Sequence, residues 1–196
     1  MIKYRNIFFL IFAFAISLSS CTKRAYISNE VIYSVDDDSE VTGTNVIGKP
    51  NSITSKSTSE AFLIDSMVNF AESCVGAPYK YGGTTPNGFD CSGFVQYVFS
   101  NFNIKIPRIP ADMVNMAEKI DYKDIKAGDL VYFKGSDINS NDIGHVAFVI
   151  EKTQNGFKMI HATSTGVVIN DYPQYEYWTS RYLFATRFKK EIINTR

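Results

Sequence analysis

Three residues of this chain can carry out covalent chemistry if the fold brings them together: Cys91, His145 and His161. The 196-residue sequence has only three cysteines and two histidines, so a thiol nucleophile and a base working near neutral pH have few candidates. Cys91 follows a glycine- and proline-rich stretch, Gly76-Ala77-Pro78-Tyr79-Lys80-Tyr81-Gly82-Gly83 and then Thr84 to Phe89, which must be a loop. Beyond it, Phe94, Val95, Val98 and Phe99 recur at helical spacing, and Asp90 stands where an N-cap belongs. Cys91 is therefore expected in the first turn of a helix. Unpaired N–H groups and about half a positive charge at that end favour thiolate over thiol. The same N–H groups can hold the oxyanion that forms when sulfur attacks a carbonyl. The plain alternative is a buried structural cysteine, but loop, cap and helix start all converge on this one residue.

The histidines add a geometric requirement. If their strands form a hairpin, opposed residues have position numbers with a constant sum and share a face. A loop centred on Thr153 sets His145 directly opposite His161. One centred on Gln154 sets them a diagonal step apart, still on one face. A two-residue turn at Asn155-Gly156, the strongest local hairpin signal, would put the rings on opposite faces. Joint catalysis thus demands the longer loop. His145, at the start of its strand, is the better candidate base, with His161 holding it in orientation and tautomer.

Other elements must position these groups. Ser57-Thr58-Ser59-Glu60 matches a capping box, and Leu63, Ile64, Met67, Phe70, Ala71 and Cys74 follow at helical spacing, which makes Cys74 a core residue. After the Cys91 helix comes an extended stretch, Ile104 to Pro110, then a short helix expected within Ala111 to Lys119. Strands are expected at Leu130 to Phe133, His145 to Ile150, Phe157 to Ala162, Gly166 to Ile169 and Tyr182 to Phe188. Helices first and strands afterwards suggest an α+β domain with a mostly antiparallel sheet.

Residues 1–20 read as a secretory signal: Lys3 and Arg5 precede an apolar run from Ile7 to Leu18, too short to span a membrane comfortably. The segment ends Leu18-Ser19-Ser20-Cys21, which resembles a bacterial lipobox. That resemblance implies a lipid on Cys21 and attachment to a membrane surface. Residues 21–56, rich in Ser, Thr, Asn and Asp, read as a flexible tether, leaving 57–196 as the folded domain. Basic and acidic residues balance at 20 each, and no basic block suggests nucleic acid. The cysteines lack zinc spacing, and no metal or organic cofactor is expected.

Taken as a set, Gly76 to Gly83, Gly88 to Phe94 with its Asp-Cys-Ser-Gly, Pro107-Arg108, Ala127 to Leu130, His145-Val146, His161-Ala162 and Tyr177-Trp178 resemble the NlpC-type family of bacterial cell-wall cysteine peptidases. The resemblance implies a papain-like fold, with helices packed on a small antiparallel sheet. It implies Cys91 as nucleophile, His145 as base and His161 as the polar third residue. It places Asp90 and Ser92 beside the nucleophile, where they can contact substrate, and Tyr79 where its hydroxyl can support the oxyanion. The family often carries glutamine where this chain has Met113. The implied activity is cleavage of peptide stems or cross-links of peptidoglycan through a thioester acyl-enzyme, in the cell envelope, by a lipid-anchored monomer facing the periplasm or wall. Two rivals stand beside it: a non-catalytic envelope lipoprotein that binds wall peptides, and an amidase or acyltransferase on a similar fold.

Overall fold

A computed structural model describes residues 52–189. The expected leader, Cys21 and the tether up to residue 51 lie outside the described residues. The first helix, α1, spans Ser52–Glu72. It takes in residues 52–56, assigned above to the tether, and the Ser57–Glu60 box lies inside it instead of starting it. No glycine or proline separates Ser52 from Ser57, and extending a helix already nucleated by its packed turns costs little. Leu63, Met67, Ala71 and Cys74 are buried along one side of this segment, as the spacing requires.

The loop that follows contains a small hairpin, β1 (Thr84–Thr85) and β2 (Gly88–Phe89), which the sequence did not signal beyond its turn residues. Helix α2 (Cys91–Asn101) starts at Cys91, with Asp90 as its N-cap. The helix expected within Ala111 to Lys119 is confined to α3 (Pro110–Met113) and a single 3-10 turn, Val114–Met116. Ala117–Ile120 is instead a strand, β3. Pairing with the last strand, β8 (Tyr182–Phe188), overrides the helical preference of Ala-Glu-Lys there.

The expected strands appear as β4 (Leu130–Lys134), β5 (Ile143–Lys152), β6 (Phe157–Thr163), β7 (Gly166–Tyr172) and β8. A short helix, α4 (Glu176–Thr179), precedes β8. The sheet is antiparallel in the order β3-β8-β4-β5-β6-β7. Alternation along the strands builds two apolar layers. Leu130, Tyr132, Val146, Phe148 and Ile160 face α1 and α2, whereas Val131, Phe133, Ala147, Val149 and Met159 form the second layer with Tyr172 and Ala185. The architecture is the α+β arrangement expected, with helices packed on a mostly antiparallel sheet.

Candidate active site

The site is assembled at the N-terminus of α2. Asp90 is buried and makes the start of this helix nearly obligatory. Its Oδ1 accepts from the Gly93 backbone N–H at 2.7 Å and from the Ser92 hydroxyl at 3.4 Å. Its Oδ2 accepts from the Gly82 N–H at 2.9 Å and from Arg108, with which it forms an ion pair. Arg108 also donates to Ser92 Oγ at 2.5 Å. One carboxylate therefore fastens the helix start to the glycine loop before it and to the extended segment after it. The double glycine has a steric purpose too. A Cβ on Gly93 would come within 2.0 Å of the Gly83 carbonyl oxygen, which also accepts from Asp90 N–H at 3.1 Å. Only glycine lets loop and helix approach so closely.

This arrangement presents the Cys91 side chain to β5. The sulfur lies where the backbone N–H groups of Val146 and Ser92 and the Ser92 hydroxyl hydrogen-bond it. Val146 immediately follows His145. The β5–β6 ladder reaches Phe148↔Ile160 and goes no further toward this end, so the strands part where Cys91 meets them. His145 and His161 lie on the sheet face of Ala147 and Met159, away from α1 and α2. The thiol therefore meets β5 at Val146, the residue after His145, at the open end of the ladder.

The facing relation holds, by a route the sequence did not show. Near the turn, Lys152 pairs with Phe157 and Glu151 with Lys158, which is the odd register that would separate the rings. A bulge at Ile150 shifts it to Val149↔Met159 and Phe148↔Ile160. Carried on, that register sets His161 across from Ala147, one diagonal step from His145. Loop Thr153–Gly156 closes with Thr153 N–H donating to Gly156 O at 2.9 Å. The rings meet: His145 Nε2 is 2.8 Å from His161 Nδ1.

Two further residues, given no role from sequence, complete the cluster. Asn170 Oδ1 is 2.8 Å from His161 Nε2. Met159 pairs with Asn170 and His161 with Val168, so Asn170 shares a face with His161. The constant-sum rule applied to β6 and β7 finds it once their register is known. Trp178 of α4 packs on both imidazoles, with ring centroids 4.8 Å from His145 and 4.7 Å from His161.

One expectation needs correction. The helix N-terminus was expected to acidify Cys91, but burial pushes its thiol up, and the neighbouring N–H groups offset this only in part. Burial, and then His161, hold His145 well below the usual imidazole range. Burial likewise takes His161 down to about 4. Desolvation opposes charge on both sides and so favours the neutral thiol and neutral imidazoles.

Tyr79 is bridged to Phe89 in the loop. Burial and then the charges of Cys91 and Asp90 raise its hydroxyl pKa, so it lies within electrostatic range of the nucleophile. Met113 is fully buried in the core and contributes nothing to a groove. Among the described residues, no group of three His, Cys, Asp or Glu is gathered as a metal site.

Comparison with known proteins identifies the chain's relatives. Residues 76–187 match the model of the NlpC/P60 family. A probable endopeptidase NlpC homolog of Haemophilus influenzae is 30% identical over 187 residues, covering 91% of this chain and 96% of that protein. The gamma-DL-glutamyl hydrolase of Bacillus subtilis is 37% identical over 123 residues, 62% of this chain but only 29% of that longer protein. Among solved structures, the NlpC/p60 domain of the peptidoglycan hydrolase SagA superposes with a TM-score of 0.52 at 28% identity, over 64% of this chain and 98% of that one. The chain belongs to the NlpC/P60 family.

Proposed function

We propose that this protein is a cysteine endopeptidase that cuts peptide stems or cross-links of peptidoglycan. The observation that carries the reading is the Cys91 sulfur held against the N–H of Val146, next to the His145–His161 pair. The names of relatives, an endopeptidase homolog and a gamma-DL-glutamyl hydrolase among them, support peptide substrates, and that of the peptidoglycan hydrolase SagA supports substrates of the wall.

In this reading Cys91 Sγ attacks the scissile carbonyl as its proton passes to His145. Because burial disfavours charge on both groups, transfer accompanies attack instead of preceding it. The tetrahedral oxyanion lies near the helix start, where backbone N–H groups and the Tyr79 hydroxyl can donate to it. Collapse breaks the C–N bond, and His145 returns the proton to the leaving amine. A thioester acyl-enzyme remains. Water, deprotonated by His145, then releases the acid and restores the thiol. Ser92 and Asp90 border the nucleophile and shape the approach of substrate; Asp90 acts through the bonds that fix the helix start. A lipid on Cys21 would hold the domain at a membrane of the envelope as a monomer.

Mass spectrometry of purified sacculi digested with the wild-type protein tests this. New peptide ends at a single stem or cross-link bond are expected, and none with Cys91→Ala. Products cut at the sugar–peptide amide would identify an amidase instead. Binding without any product would leave a wall-binding protein.

A further inference from the structure

We infer that Asn170 is a positioning residue: its amide oxygen selects the tautomer of both histidines and so leaves Nδ1 of His145 as the nitrogen that takes the Cys91 proton. The inference deepens the peptidase reading and, for its catalytic consequence, rests on it.

One chain of contacts links the two rings to Asn170. An amide oxygen only accepts hydrogen bonds. With Asn170 Oδ1 2.8 Å from His161 Nε2, that nitrogen must carry the hydrogen. A neutral His161 then has a bare Nδ1. His145 Nε2 lies 2.8 Å from it, and two bare nitrogens cannot bond each other, so His145 Nε2 carries a hydrogen as well. A neutral His145 is left with a bare Nδ1. Donors thus point the same way along the row, from His145 to His161 to Asn170. When His145 gains the thiol proton on Nδ1, the row needs no rearrangement, because its Nε2–H already donates. The opposite polarity would place an N–H on Nδ1, and that nitrogen could accept nothing.

The other neighbours do not make this choice. Trp178 of α4 and Phe133 of β4 pack against the rings with aromatic surface and do not titrate. Besides burial, His161 acts on His145 and Asn170 on His161, with no carboxylate among the influences. The row ends in a neutral amide, so it fixes orientation and tautomer without adding a charge to stabilise imidazolium.

Long-range 1H–15N NMR of the 15N-labelled protein reads this directly, since the sequence has only two histidines and hence four ring nitrogens. Above pH 7 both rings should show hydrogen on Nε2 and a bare Nδ1. Hydrogen on Nδ1 of either ring in the wild-type protein would overturn the inference. Asn170→Ala should give mixed tautomers and lower kcat on purified muropeptides about tenfold, with KM little changed. Asn170→Asp keeps an acceptor, so it should restore the tautomers and, by adding charge, move the acid limb of the pH–rate profile upward. Unchanged tautomers and kcat in Asn170→Ala would also overturn it. If Asn170→Ala does not fold, the wild-type spectrum and Asn170→Asp still decide. The tautomers are read without substrate, so failure of the peptidase reading would show separately, as intact sacculi with the expected tautomers.

Discussion

Replacing Asp90 should show how much of this fold depends on one carboxylate. Asp90→Ala removes three kinds of bond at once. The N-cap bond to Gly93 N–H contributes about 1 kcal/mol. The bond from Gly82 N–H to a charged acceptor contributes about 1.5 kcal/mol. The ion pair with Arg108 lies between the exposed and buried extremes, since the Asp90 side chain is 11% exposed and that of Arg108 34%, so it contributes about 1–2 kcal/mol. These groups share a network and will not add fully, which gives a loss of about 3–4 kcal/mol. Equilibrium urea unfolding measures it: with a slope of about 2 kcal/mol per molar, the midpoint should fall by about 1.5–2 M. Asp90→Asn is the sharper test. An amide offers one acceptor where Oδ1 and Oδ2 both accept, and it turns an N–H₂ toward either Gly93 N–H or Gly82 N–H and Arg108. Asp90→Asn should therefore fall within about 1 kcal/mol of Asp90→Ala. If it stays within about 0.5 kcal/mol of wild type, the carboxylate is not the fastening described.

Two pH dependences follow from burial at the site. Since the Cys91 thiol is pushed up and His145 down, alkylation of the Cys91 peptide by iodoacetamide, followed by mass spectrometry, should keep accelerating through pH 9; a plateau already reached below pH 7 would mean a preformed thiolate–imidazolium pair. His161 titrates near 4 in the folded chain against 6.5 ordinarily. Between those values the unfolded chain binds a proton that the native chain does not. Stability should therefore fall as pH drops through this window, by up to about 3 kcal/mol from His161 alone, with His145 adding in the same direction. Urea midpoints taken at pH 7, 6 and 5 check the sign, and a flat series would contradict the buried neutral pair.

The parts of the site that were legible in the sequence are those set by local chemistry. Asp90, the glycines before it and the apolar spacing after it are enough to start a helix at Cys91. Strand alternation shows that joint catalysis requires His145 and His161 to share a face. What escaped depends on contacts between distant segments. The bulge at Ile150 that corrects the register arises within a paired sheet, and the loop alone pointed to the wrong parity. Asn170 lies on a third strand whose register had to be known before its amide could be aimed at His161. Trp178 was visible as a motif, but its packing on two imidazoles follows from where α4 lands. The acidity of Cys91 was misjudged for the same reason: the helix start is local, whereas the burial that outweighs it is set by tertiary packing. Ala117–Ile120 became a strand because β8 offered it a partner.

The most direct measurement is the rate at which purified sacculi release new amine ends when treated with the wild-type protein and with Cys91→Ser, both shown to be folded. Serine keeps the shape of the site but replaces a thiol with a hydroxyl far harder to deprotonate beside a neutral imidazole. Release by the wild type, and a fall of about a thousandfold or more in Cys91→Ser, is the expected result. Equal release by the two proteins would contradict the assignment of Cys91 as the nucleophile.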